Sequence, residues 1–189
     1  QCDCIIAFGG GSAMDCAKAT GARVARPKKS LAQMKGILKV RKKIPLLIAV
    51  PTTAGTGSET TLAAVITDST TRHKYAINDF PLIPSYAAML PKLTVGLPPH
   101  ITATTGMDAL THAIESFITP GAWTMSDMFE AKAIELVAKH LKNAVDNGKD
   151  EVARAGMAEA QYIAGMGFSN VGLGIVHSMA HPLGAHYDT

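Results

Sequence analysis

The hydrophobic pattern of this chain changes period once, near residue 95, and that change commits it to two unlike parts. Before it, short apolar runs alternate with polar or helical stretches. Ile5–Phe8, Leu46–Val50, Ala64–Ile66 and Ala87–Leu90 read as strands, Ser12–Val24 as a helix and Leu31–Val40 as a weaker one. Strands alternating with helices predict a parallel α/β sheet. Pro81, Pro84, Pro91, Pro98 and Pro99 then punctuate the chain, and Pro98-Pro99 reads as a boundary. Beyond it, apolar residues recur three and four apart over Thr105–Thr119, Met125–Val145, Val152–Phe168 and Ile175–Ala185, the spacing of helices. Asn147-Gly148 stops the second of these, and Gly172 and Gly174 interrupt the approach to the last. The expected fold class is an α/β part over residues 1–95 followed by an all-helical part over residues 96–189.

Composition narrows the function classes. With 189 residues, 47% hydrophobic and 17% charged, the chain can bury a real core. Apolar runs such as Ile44–Val50 are too short to cross a bilayer, so no membrane partner is expected. Aromatics make up only 5% and do not interleave with the basic residues, which argues against nucleic acid. The basic residues do crowd one stretch, from Arg23 to Lys43. That stretch is either a solvated helix and loop or a means of steering an anionic partner toward the protein. The first residues lack a signal-peptide pattern and an initiator Met, so the chain reads as cut from a longer protein. Three cysteines without a staple pattern suggest a reducing, cytoplasmic setting, with Cys2, Cys4 and Cys16 expected as small buried hydrophobes.

Four constellations could carry chemistry. In Phe8-Gly9-Gly10-Gly11-Ser12-Ala13-Met14-Asp15 a strand runs into glycines and a helix begins at once. Such a turn lets a bulky anion approach the backbone and the free N–H groups of a helix start, as a pyrophosphate would require. The alternative is a tight βα turn with Ser12 as N-cap. Neither G-x-G-x-x-G nor a Walker lysine is present. The run Pro51-Thr52-Thr53-Ala54-Gly55-Thr56-Gly57-Ser58-Glu59-Thr60-Thr61 follows a buried-looking strand, where ligands of open α/β sheets bind. It is either a ribose- and phosphate-holding loop or an ordinary polar one. It is no esterase elbow, because Thr60 follows Glu59.

The other two constellations are helical pairs. Asp108 and His112, four apart, project from one helix face, and His177 and His181 repeat that spacing among small and apolar neighbours. A single pair of this kind is usually a local contact, but helices facing each other commonly build metal sites from two. Imidazole with carboxylate suits Fe²⁺ or Zn²⁺; satisfied core polar residues are the alternative.

Together these residues resemble the iron-containing (group III) alcohol dehydrogenase family. The resemblance rests on Gly9-Gly10-Gly11-Ser12 with Asp15 and Lys18, on Pro51 to Glu59, on Thr105 to Glu115, and on His177-Ser178-Met179-Ala180-His181-Pro182-Leu183-Gly184. Gly121-Ala122-Trp123 and Gln161 to Asn170 look most like the lactaldehyde reductase (1,2-propanediol oxidoreductase) branch. The resemblance implies a dehydroquinate synthase-like fold. Residues 1–95 would be the later portion of a dinucleotide-binding α/β domain, and 96–189 the first part of a helical metal-binding domain.

It also implies roles for particular residues. Gly10, Gly11, Ser12 and Asp15 would serve the cofactor pyrophosphate region, with Thr52, Thr53 and Thr61 lining the nucleotide cleft. Lys74 would reach the ribose or nicotinamide side of NAD or NADP. Asp108, His112 and His177 would be metal ligands, for Fe²⁺ first and Zn²⁺ second, and His181 would be the catalytic residue near substrate. A fourth ligand would lie just beyond Thr189, and His186 is not assigned to it. Leu90 departs from the family, which usually has Asp there. The implied activity is NAD(P)-linked hydride transfer on small alcohols, diols or aldehydes, in a homodimer or larger homo-oligomer when complete. A metallohydrolase using the same Asp and His cluster, and an inactive fragment, are the rival readings.

Overall fold

A computed structural model describes residues 2–69, 71 and 73–187, apart from the side chains of residues 185 and 186. The α/β part comprises β1 (Cys4–Gly9), α1 (Gly11–Ala25), β2 (Gly36–Ile37), β3 (Leu46–Pro51), β4 (Ala63–Asp68), β5 (His73–Asn78) and β6 (Tyr86–Ala87). The helical part comprises α2 (Pro99–Ile118), α3 (Thr124–Asp146), α4 (Glu151–Val171) and α5 (Ile175–Tyr187). Pro98 and Pro99 open α2 rather than standing apart from it, since a proline in the first helical turn forfeits no hydrogen bond. No helix among the described residues is long and apolar enough to cross a membrane.

The parallel sheet runs β1-β3-β6, with Cys4 opposite Leu46 and Gly9 opposite Pro51. One face is covered by α1: Ala7, Leu47 and Ala49 pack against Met14, Ala22 and Ala25. The sheet was expected to include Ala64–Ile66, but β4 instead pairs antiparallel with β5 in a second sheet ordered β2-β5-β4. β4 ends at Asp68 and β5 begins at His73, too short a connection for a parallel crossover. Sequence reasoning missed β5, whose His73-Lys74-Tyr75-Ala76-Ile77-Asn78 mixes polar and apolar residues. Ala87–Leu90 shrinks to a strand at Tyr86–Ala87, and a 3₁₀ turn follows at Pro91.

The helix expected over Leu31–Val40 does not form. A 3₁₀ turn covers Ala32–Met34, and β2 follows it. Gly36 at φ 97° and Leu38 at φ 53° turn the backbone out of any right-handed helix. The Asp79 carboxylate then holds the segment by accepting from the Val40 and Arg41 N–H groups at 2.9 and 2.8 Å. The cysteines also depart from expectation. Cys2, Cys4 and Cys16 are all exposed thiols. Cys4 lies on the sheet face that α1 leaves uncovered, and Cys16 opens onto a cleft.

The helical part packs through small residues. Ala109, Ala113, Ala133, Ala144, Ala153, Ala160 and Ala164 are all buried at the contacts of α2, α3 and α4. Asp150 caps α4 by accepting from the Val152 and Ala153 N–H groups. Arg154, almost fully buried, ties α4 to the start of α2. Its guanidinium donates to Thr102 Oγ1 at 2.7 Å, the Gly148 carbonyl at 2.9 Å and the Leu97 carbonyl at 3.3 Å.

Candidate functional site

A cleft of about 1300 Å³ runs between the two parts. Gly11 and Ser12 at the start of α1 form one wall, with Asp15 and Cys16 on its next turn. Gly10, not Ser12, is the residue that precedes the helix, and it has no side chain to cap it. The glycines do two jobs. Gly9 sits at φ 147°, which few side chains tolerate. Gly10 and Gly11 let the threonine loop come against the helix start: a Cβ would lie 3.1 Å from Thr53 Cγ2 at Gly10, and 2.7 Å from Thr56 Cγ2 at Gly11. The Thr52 N–H donates to the Gly9 carbonyl at 3.0 Å, which continues the seam.

Beneath this wall lies a buried charged cluster. Lys18 is fully buried and donates to the Thr61 carbonyl (2.8 Å), Thr61 Oγ1 (3.0 Å) and the Ala63 carbonyl (2.8 Å). Asp15 accepts from Ser58 Oγ at 2.9 Å and from the Val65 N–H at 3.1 Å. Burial lowers the Lys18 pKa to about 8, although Asp15 and Glu59 oppose it. Burial likewise raises Asp15, and it pushes Glu59 up to about 7. The cluster therefore holds Thr61, on the cleft surface, in a set orientation.

The helical wall brings three metal-type donors together. Asp108 and His112 come from α2, and His177 from α5. The Asp108 Oδ1 lies 3.8 Å from His112 Nε2 and 3.5 Å from His177 Nε2, and one donor atom from each residue falls within 4.8 Å of the others. Donors around a four-coordinate ion bound at about 2.1 Å stand about 3.4 Å apart. The observed spacings match that and exceed good hydrogen-bond lengths, so the donor set fits a divalent cation. Phe168 and His177 stack on His112, each with ring centroids 4.4 Å away, and His181 meets His177 edge-on at 5.9 Å.

The electrostatics favour neutral imidazoles at two of these positions. Burial depresses His112 to about 4, against the pull of Asp108. His181 is lowered by burial and by the positive charge of Lys74. Burial also works against a charged His177, but Asp108 and Glu115 outweigh it and raise its pKa. At Asp108 burial is outweighed by the facing histidines, which lower its pKa. An anionic carboxylate beside uncharged imidazole nitrogens is the state in which such groups bind cations.

Two family profiles match the chain in succession. The profile for iron-containing alcohol dehydrogenase covers residues 1–91, and that for the C-terminal part of the Fe-containing alcohol dehydrogenase family covers residues 102–189. The chain belongs to the iron-containing alcohol dehydrogenase family. Alcohol dehydrogenase 4 of Schizosaccharomyces pombe is 49% identical over 187 residues, 99% of this chain and 44% of that protein. Lactaldehyde reductase of Escherichia coli is 47% identical over 188 residues, 99% of this chain and 49% of that protein. A crystal structure of 1,3-propanediol oxidoreductase superposes with TM-score 0.96 at 43% identity, over all of this chain and 49% of the other. Sulfoacetaldehyde reductase from Bifidobacterium kashiwanohense, solved with NAD⁺, superposes with TM-score 0.88 at 39% identity, over 98% and 50% of the two chains. The chain thus spans about half the length of the relatives it matches.

For an iron-containing alcohol dehydrogenase, the gathering of residues from both parts around one cleft is the central feature. Gly11, Ser12, Asp15, Thr61 and Lys74 lie on its α/β side, and Asp108, His112, His177 and His181 on its helical side. Gly10, Thr52 and Thr53 stand behind the α/β wall, in the seam between turn and loop. His186 falls outside the described side chains. Sequence reasoning assigned no role to Lys18, Glu59, Phe168 or Glu115. Glu115 had a readable signal, because Asp108, His112 and Glu115 follow i, i+4, i+7 along one helix face.

Proposed function

We propose that this protein is a metal-dependent, NAD(P)-linked alcohol dehydrogenase and aldehyde reductase that acts on small alcohols or diols by hydride transfer. One observation carries the reading: three cation-type donors face the glycine-lined start of α1 across a single cleft. Asp108, His112 and His177 would hold the cation, Fe²⁺ first and Zn²⁺ second. When bound, such an ion supplies Lewis-acid stabilisation of negative charge on the substrate oxygen. Gly10, Gly11 and Ser12 would accommodate the pyrophosphate of NAD or NADP at the helix start, where free N–H groups favour an anion. Asp15 supports that turn through Ser58 and Val65. Thr61 lines the nucleotide side, Thr52 and Thr53 would support it from the seam behind the glycine turn, and Lys74 would bring a positive charge toward the ribose or nicotinamide.

His181 would receive the proton that leaves the alcohol oxygen and pass it toward solvent, a role suited to the neutral imidazole favoured by burial and Lys74. Leu62, Phe168, Leu173 and Val176 make the surroundings apolar, as a small aliphatic substrate needs. The NAD⁺-bound sulfoacetaldehyde reductase and the lactaldehyde and propanediol enzymes among the relatives support the same chemistry. A hydrolase would leave the glycine turn and the threonine loop without work. A homodimer or larger assembly in the cytoplasm completes the proposal, and the free cysteines suit a reducing compartment.

Replacing His177 with Ala tests the reading. The variant should lose bound metal and alcohol-dependent NADH formation together, measured by metal analysis and absorbance. Metal retained alongside full turnover would refute the assignment.

A further inference from the structure

We infer that Glu115 is a positioning residue that orients His177 for cation binding and fixes which of its ring nitrogens carries the proton. The inference rests on the metal reading above. Glu115 is 4% exposed, on the same face of α2 as Asp108 and His112, and it uses its two oxygens on different groups. Its Oε2 stands 2.6 Å from His177 Nδ1. Its Oε1 accepts from the Val176 N–H, also at 2.6 Å.

Each contact has a consequence. A carboxylate can only accept, so the ring proton of a neutral His177 belongs on Nδ1. That leaves the Nε2 lone pair free, and Nε2 is the atom facing Asp108 at 3.5 Å. The Val176 contact anchors the helix that bears the ring. Val176 lies in the first turn of α5, where N–H groups have no intrahelical partner, and the preceding Gly174 has no side chain to offer one. Glu115 therefore caps α5 from α2. Gly174 makes that possible, since a Cβ there would come within 2.9 Å of Oε1. One carboxyl group thus sets the height of α5, the plane of the His177 ring and its tautomer. Carboxylates behind metal-binding histidines typically raise metal affinity 10–100-fold.

The test compares Glu115→Gln with the unsubstituted protein and His177→Ala. Zn²⁺ affinity is measured by competition with a chromogenic chelator, and helix content by circular dichroism. Glu115→Gln should keep its helix content and bind Zn²⁺ roughly 10–100-fold more weakly. A ¹⁵N imidazole NMR spectrum supplies a readout that capping alone would not move. In the metal-free unsubstituted protein, at a pH high enough to leave the His177 ring neutral, His177 should carry its proton on Nδ1, and in Glu115→Gln the two tautomers should mix. Zn²⁺ binding within about threefold of the unsubstituted protein, well below the usual effect of a carboxylate behind a metal-binding histidine, would overturn the inference alone, as would a neutral His177 ring with its proton on Nε2 before substitution. If the unsubstituted protein bound no Zn²⁺, or His177→Ala bound it equally well, the metal reading would fall and this inference with it. Should Glu115→Gln not fold, the NMR assignment on the unsubstituted protein decides.

Discussion

Glu130 provides a direct test of how burial governs charge in the helical part. It lies in the second turn of α3 with no solvent exposure, and among the described residues neither carboxyl oxygen has a hydrogen-bond partner. Gly167 of α4 presses against it so closely that any Cβ there would collide with Oε1. Burial pushes its pKa from 4.5 up to about 8; the nearby Ser116 hydroxyl, turned toward the His112 carbonyl, offsets this only in part. Between those two values the folded protein holds a proton that the unfolded chain has released. Stability should therefore be complete below pH 4.5, fall as pH rises, and level off above about 8. At about 1.4 kcal/mol per pH unit the expected effect is a few kcal/mol, with a ceiling of roughly 5 kcal/mol. Glu130→Gln removes the titration. Urea unfolding of both proteins from pH 4.5 to 9 should show the variant gaining on the unsubstituted protein by that amount across the window. Taking the difference removes the contributions of Glu59 and the histidines, which both proteins share. A difference that stays constant with pH would refute the claim that Glu130 is buried uncharged.

Two further outcomes follow from the packing around the cleft. Gly165→Ala places a Cβ against Thr60 Oγ1 and 3.0 Å from the Gly57 carbonyl, forcing α4 away from the threonine loop. It should cost about 1–3 kcal/mol in urea unfolding and weaken NADH binding by fluorescence titration; unchanged values in both would contradict the proposed role of that seam. Lys18→Met leaves the Thr61 and Ala63 carbonyls and Thr61 Oγ1 without their donor, and Glu59 without its counter-charge. A loss of about 3 kcal/mol or more is expected, and a variant as stable as the original would show that the buried cluster contributes nothing net.

Much of the fold was legible because it is written locally. The strand at Ile5–Phe8, the glycine turn and α1 follow from an apolar run, residues that permit a sharp turn, and helical spacing, all within 25 residues of one another. The helical part was readable for the same reason, and Asp108 with His112 could be paired because both lie on one helix face. Where local signals are weak, reading failed: Leu31–Val40 has helical spacing, but the positive φ values at Gly36 and Leu38 and the distant Asp79 carboxylate decide its path. β5 has a mixed pattern and becomes a strand through its pairing with β4. The cysteines were misjudged because burial depends on which face of a strand or helix a neighbour covers.

By itself, then, the sequence determined the two-part architecture, the family and the residue types from which a cation and a dinucleotide site can be built. Those properties depend on periodicity and on short motifs, which act over a few residues. Only the tertiary structure decided that Glu115 reaches His177 across 62 positions of sequence, that Lys18 clamps Thr61, and that Gly10 and Gly11 are spent on admitting the threonine loop. Such contacts arise when separate elements close on one another. Their partners are chosen by burial and by the need to satisfy every polar group left inside.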